Sequence, residues 1–186
     1  MRLFTGLAPD PHVIANLDGV LRELRPMAPL NWSPVENLHI TSKFVGPWPE
    51  ERLAELESAL KTANVPTAFP VTVSGFGYFP NPHHPKAFFA GVEASAEVGT
   101  LARQIDEALA PLGVKREERP YTPHLTLARI RNENMRQVRE HIAKMTNLDF
   151  GTFQASEFHL YLSRQDLNKS CSVYTKLATF PLGPQA

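Results

Sequence analysis

The chain has 186 residues, of which 42% are hydrophobic and 20% charged, enough to bury a core without disulfide or metal staples. Its 19 basic residues balance 19 acidic ones, which excludes wholesale electrostatic binding of nucleic acid but leaves room for a small local cationic site. The single cysteine, Cys171, excludes an internal disulfide framework and fits a reducing compartment.

Residues 2–8 read as a short first strand. This apolar start is broken by Gly6 and stopped by Pro9-Asp10, too short for a signal peptide. No later run approaches the ~18 apolar residues of a membrane span, so the expected location is the cytoplasm. Asp10 is placed to cap a helix with Pro11 at its first position, and Val13, Leu17, Val20, Leu21 and Leu24 give that helix an apolar face. Pro26 and Pro29 end it. A loop through Trp32, Ser33 and Pro34 leads to a strand over residues 37–45, stopped by Gly46-Pro47.

A second amphipathic helix fits residues 49–61, with Leu53, Leu56, Ala59 and Leu60 on one side. Residues 69–79 alternate as a strand, with Gly75 and Gly77 marking a bulge or bend. A proline-rich hairpin loop, residues 80–85, turns it back into a strand over 86–92. A third helix spans 98–112 and stops at Gly113. A charged stretch, 115–119, precedes the next strand. A fourth helix fits 134–145, and strands over 152–155, 157–163 and 172–180 close the chain. There is neither strict strand–helix alternation nor a Gly-rich nucleotide loop. The expected fold is α+β with mainly antiparallel sheets, a single domain over residues 1–186 built from two lobes.

Two stretches carry the chemistry. Leu38-His39-Ile40-Thr41-Ser42-Lys43-Phe44 has an echo 85 positions later in Pro123-His124-Leu125-Thr126-Leu127-Ala128-Arg129. In a strand, residues two apart share a face, so each copy presents one imidazole and one hydroxyl together. Leu38, Ile40, Leu125 and Leu127 then face the core. Two such strands related by rough two-fold symmetry put two histidines across a shared cleft, the layout an acid–base reaction on a phosphate ester requires. One neutral histidine takes a proton from water while the other, protonated, gives one to the leaving oxygen. Thr41 and Thr126 are placed to donate to the non-bridging oxygens. Arg129 is a candidate clamp, although strict alternation turns it to the opposite face unless a bulge near Ala128 intervenes. Lys43 has the right parity for a second cation, Phe44 has core parity, and Tyr121 is a candidate to stack a base.

Metal binding is the rival reading of the histidines, but no His-x3-His or Cys-x2-Cys spacing occurs among His12, His39, His83, His84, His124, His141 and His159. His83 and His84 fall in the proline-rich loop, His12 and His141 on helix surfaces. His159 alternates with apolar neighbours as a satisfied core histidine would. No metal and no cofactor are expected, and Cys171 has no activating motif beside it.

The chain resembles the 2H phosphoesterases, and within them the LigT/ThpR-type RNA 2′,3′-cyclic phosphodiesterases. Carrying the resemblance are Met1-Arg2-Leu3-Phe4, Trp32, Glu36-Asn37-Leu38-His39-Ile40-Thr41, Lys43-Phe44-Val45-Gly46 and Tyr121-Thr122-Pro123 with the second motif through Arg129. Ser42 departs from it, standing where an apolar residue is usual. The resemblance implies a bilobal fold and metal-independent hydrolysis of a terminal 2′,3′-cyclic phosphate on RNA to a 2′-phosphate, with short RNA ends, tRNA fragments among them, as partners of a monomeric protein. By the same resemblance His39 is the proton donor to the leaving O3′ and His124 the acceptor that activates water. The residues themselves leave those roles open, because the motifs are nearly symmetric. Alternatives are another cyclic phosphate, 2′,5′-linked RNA including its ligation, or a non-catalytic RNA-end binding module.

Overall fold

Leu3, Thr5 and Leu7 alternate with Phe4 and Gly6, and this run forms β1 (Arg2–Leu7). The computed structural model describes residues 1–93, 96–165 and 172–183; Cys171 lies outside them. Pro11 opens α1 (Pro11–Leu24), which buries Val13, Leu17, Leu21 and Leu24. Asp10 stands at its N-cap, although its side chain makes no capping bond there. A two-residue strand, β2 (Asn31–Trp32), and a 3₁₀ turn, Val35–Asn37, precede β3 (Ile40–Pro47). The turn delays the strand by three residues relative to the sequence expectation and leaves His39 just ahead of it.

The remaining elements follow in order. These are α2 (Leu53–Lys61), β4 (Phe69–Phe79), β5 (Ala87–Glu93), α3 (Ala96–Leu109), β6 (His124–Arg129), α4 (Arg136–Ile142), β7 (Asp149–Ala155), β8 (Glu157–Gln165) and β9 (Ser172–Pro181). The second helix starts later than expected because Glu50–Arg52 form a 3₁₀ turn. The third ends earlier, where Pro111 tightens Ala110–Leu112 and Gly113 stops the chain at φ 90°.

One sheet carries all the strands, in the order β7-β4-β5-β6-β3-β1-β8-β9, with β2 beside β6. Every pairing among the described residues is antiparallel. Two separate sheets are therefore not formed; the two lobes are halves of one curled sheet. Among the described residues they join where β3 meets β6, through the single pair Ile40 and Leu125. Beyond that pair β2 replaces β3 along the edge of β6, at Ala128 and Arg129, so the halves splay. Helix α1 packs on β7, and α3 on β3 and α2.

The register contains two bulges that decide which side chains reach the cleft. Thr5 pairs with Lys43 and Gly6 with Thr41, so Ser42 is an extra residue on β3. Phe88 pairs with Ala128 and Phe89 with Thr126, so Leu127 is an extra residue on β6. Each bulge directly follows a motif threonine and turns two consecutive side chains inward: Ser42 and Lys43 in one copy, Leu127 and Ala128 in the other, all buried. Ser42 is satisfied there by a 2.8 Å hydrogen bond with the Thr5 hydroxyl. Lys43 donates to the Asp106 carboxylate on α3 and, at 2.6 Å, to the Lys115 carbonyl. Asp106 also accepts from the Glu117 amide, so one buried ion pair ties the first motif strand to α3 and to the charged segment before the second motif.

Removing one partner of a buried pair strands the other charge. Asp106→Ala is expected to lower the unfolding free energy by about 3 kcal/mol, measured by urea denaturation. A loss within the range of an exposed pair, about 0.5 kcal/mol, would show that this tie is not structural.

Candidate active site

Ile40 and Leu125 are matching positions of the two motif copies, and they are also each other's partners across the seam. The pseudo-two-fold axis therefore passes between them. Antiparallel pairing then sets His39 opposite Thr126 and Thr41 opposite His124, all on the face away from buried Leu38, Ile40, Leu125 and Leu127. The histidines become diagonal neighbours, a relation that spans roughly 7–8 Å in a regular sheet.

Each ring is fixed in the same way. His39 Nδ1 lies 2.7 Å from the Asn37 carbonyl and His124 Nδ1 lies 2.8 Å from the Thr122 carbonyl, two residues upstream in both cases. A carbonyl only accepts, so Nδ1 carries the proton in each neutral ring and Nε2 is left for the cleft. His39 Nε2 is 2.9 Å from the Thr41 hydroxyl, which donates to it while the ring is neutral. Protonating Nε2 frees the Thr41 hydrogen for an oxygen in the cleft.

The histidines are backed by aromatic side chains. Phe4 packs 4.7 Å from the His39 ring, with Tyr174 at 5.2 Å and Tyr161 at 6.0 Å. Phe79 and Phe89 stand 4.8 and 5.3 Å from His124. Burial lowers the pKa of both rings. For His39 the Asn37 bond opposes this and the nearby His124 adds to it. For His124 the Thr122 bond opposes it and the Arg129 charge adds to it. Gly6 makes the His39 wall possible, because a Cβ there would stand 2.7 Å from the Ile40 carbonyl oxygen and 3.4 Å from His39 Cδ2.

The bulges settle the parity questions. Past Leu127 the alternation inverts, which puts Arg129 on the side of His124 and Thr126, and its charge is felt by His124. The same inversion past Ser42 overturns two expectations. Lys43 is not a cleft cation, since it points inward to Asp106. Phe44 is not a core residue, being 62% exposed with its ring 6.3 Å from Phe4. Tyr121 is half-buried, and its hydroxyl donates to the Thr41 carbonyl at 2.8 Å, bracing one motif against the other. Burial raises the Tyr121 pKa. Nothing local in the sequence announces the walls, because Phe4, Phe89 and Tyr161 meet the histidines only through strand pairing. Among the described residues, no three His, Cys, Asp or Glu side chains converge as metal ligands. Among them also, no helix is long and apolar enough to cross a membrane.

A bilobal sheet with one His-x-Thr on each side of its seam defines the class of paired-histidine phosphoesterases. The model of the 2′-5′ RNA ligase superfamily matches residues 10–167, and the chain belongs to that family. A protein of Archaeoglobus fulgidus named RNA 2′,3′-cyclic phosphodiesterase is 31% identical over 97% of this chain and 99% of its own. One of the same name from Methanocaldococcus jannaschii is 35% identical over 88% of this chain and 91% of its own. The crystal structure of TT0787 of Thermus thermophilus superposes with a TM-score of 0.78 at 28% identity, covering 98% of both chains.

Proton titration followed by NMR tests the electrostatics. Both C2–H resonances should titrate below the ~6.5 of a free imidazole. His124→Ala should move the His39 midpoint up, because a neighbouring positive charge has been removed; an unmoved midpoint would show the rings too far apart to share a phosphate.

Proposed function

We propose that the protein hydrolyses a terminal 2′,3′-cyclic phosphate on RNA to a 2′-phosphate by a metal-independent two-histidine mechanism. The single observation that carries this reading is the seam. It sets two histidines of the same tautomer diagonally across one cleft, each with Nε2 inward and a threonine opposite. The relatives named RNA 2′,3′-cyclic phosphodiesterase support the substrate class.

In this mechanism neutral His124 takes a proton from water through Nε2 as the water oxygen bonds to phosphorus. The P–O3′ bond breaks on the opposite side, and protonated His39 gives its Nε2 proton to the departing O3′. The 2′-ester stays intact. Thr41, released as His39 is charged, and Thr126 donate to the non-bridging oxygens, and Arg129 neutralises them. Burial and, after it, the Arg129 charge favour neutral His124, as a base must be; His39, lowered in the same direction, takes its proton when the phosphate anion is bound. Phe44, exposed on the His39 side, offers a ring to a base. The two walls desolvate the imidazole rings.

The deciding assay is turnover of a short oligonucleotide ending in a 2′,3′-cyclic phosphate. His39→Ala and His124→Ala should each lower kcat about 10²- to 10⁴-fold with unchanged circular dichroism, and EDTA should leave the wild type unaffected. Near-normal turnover by either variant, or a loss with EDTA restored by added metal, would overturn the mechanism. A product carrying a 3′-phosphate would reverse the leaving group.

The pH profile carries a sign. The base must be neutral and the acid protonated, and both free rings lie below the ordinary imidazole value. The bell in kcat/KM, which reports the free enzyme, should therefore peak below ~6.5. A single rising limb through neutrality would rule out a histidine acid.

A further inference from the structure

The sheet face that carries His39 continues across β8 and β9, where Tyr161, His159, Tyr174 and Lys176 share it. His159 is 2% exposed. Its Nδ1 lies 2.9 Å from the Thr179 hydroxyl and its Nε2 lies 3.2 Å from Lys176 Nζ. An ammonium only donates, so Nε2 accepts, and Nδ1–H donates to Thr179. Burial first, and the Lys176 charge second, push the His159 pKa down to about 4, so the ring stays a neutral acceptor near neutral pH. A buried imidazole is thus committed to holding one lysine by one of its three N–H bonds, which leaves the other two directed elsewhere. A core histidine needs no such partner, and the cation beside it gives it no electrostatic gain.

The location gives that ammonium a use. Lys176 is the cross-strand partner of Tyr161, whose ring lies 6.0 Å from His39. It also stands two residues along β9 from Tyr174, whose ring lies 5.2 Å from His39. A cavity of about 180 Å³ opens beside Lys176, lined also by Asp10, Gln154 and Glu157, with Glu157 Oε1 3.6 Å from His159 Nε2. Those carboxylates repel an anion from the cavity itself. Lys176 itself shares the sheet face of Tyr161, its cross-strand partner, and of Tyr174, the two rings that flank His39.

We propose that Lys176, held by His159, binds the phosphodiester one nucleotide upstream of the reacting end, which makes a short oligonucleotide a better substrate than a mononucleotide. The subsite rests on the function proposed above, and the test separates the two. Wild type, Lys176→Met and Lys176→Arg are compared on a mononucleoside 2′,3′-cyclic phosphate, which has no upstream phosphate, and on a trinucleotide ending in the same group. Lys176→Met should lower the trinucleotide-to-mononucleotide ratio of kcat/KM about tenfold, and Lys176→Arg should restore most of it. The slope of log kcat/KM for the trinucleotide against log salt should fall by about 0.7. An unchanged ratio, whether both substrates suffer equally or neither does, overturns the subsite. If wild type turns over neither substrate, the hydrolase reading has failed by itself. Binding of the corresponding 2′-phosphorylated trinucleotide and mononucleotide then decides the subsite by the same ratio.

Discussion

A single residue pair, Ile40 opposite Leu125, joins the two halves of the sheet, and the site is a consequence of that seam. Antiparallel pairing at a two-fold axis has a fixed geometric result: a residue before the axis on one strand faces a residue after it on the other. His-x-Thr centred on the paired residue therefore places each histidine against the other copy's threonine. Had the register slipped by one, the histidines would point into the leucine core. Because β2 takes over from β3 along β6, the strands separate immediately beyond the pair. The separation keeps the four groups from filling one another's space.

The surroundings of the two rings work against their protonation. Burial makes each imidazole charge less readily than it would free, and a neighbouring charge adds to this, His124 for His39 and Arg129 for His124. A bound phosphate reverses this balance, since an anion between two imidazoles favours the charged form of one of them. On the proposed mechanism the proton that reaches the leaving group is held firmly only when substrate is present. The fixed Nδ1–H bonds limit the cost of this, since the backbone carbonyls at Asn37 and Thr122 hold the rings in either protonation state.

The secondary structure, the α+β class and the motif pair were legible because they rest on periodicity and spacing. The 69–79 strand matched to the residue, with its bend at Gly75, φ 66°. His159 reads as a satisfied core histidine; it is buried and bonded to Thr179, and it also accepts from Lys176, a partner that alternation does not reveal. What was hidden depends on register. A bulge adds one residue to one strand, and neither Ser42 nor Leu127 has a composition that marks it. Strict alternation therefore misassigned Lys43 and Phe44 and left Arg129 in doubt, all three lying just past a bulge. The partner of Lys43, Asp106, is 63 residues away on a helix whose polar face gives no hint of it. The aromatic walls were hidden for the same reason, because Phe4 and Tyr161 reach His39 through β1 and β8, whose pairing no local pattern encodes.

Near-symmetry also sharpens the question of which histidine does what. At matching positions, three residues past each motif threonine, the two strands present different groups: an aromatic ring at Phe44 and a guanidinium at Arg129. The acid–base pair is interchangeable by itself, but its flanks are not. On the proposed reading, a nucleotide end that sets its base toward Phe44 and its phosphate oxygens toward Arg129 enters the cleft in one orientation. That orientation gives O3′ to one imidazole and water to the other. The direction of proton transfer is then a property of what binds beside the histidines, imposed by two bulges that turn unlike side chains toward the same cleft.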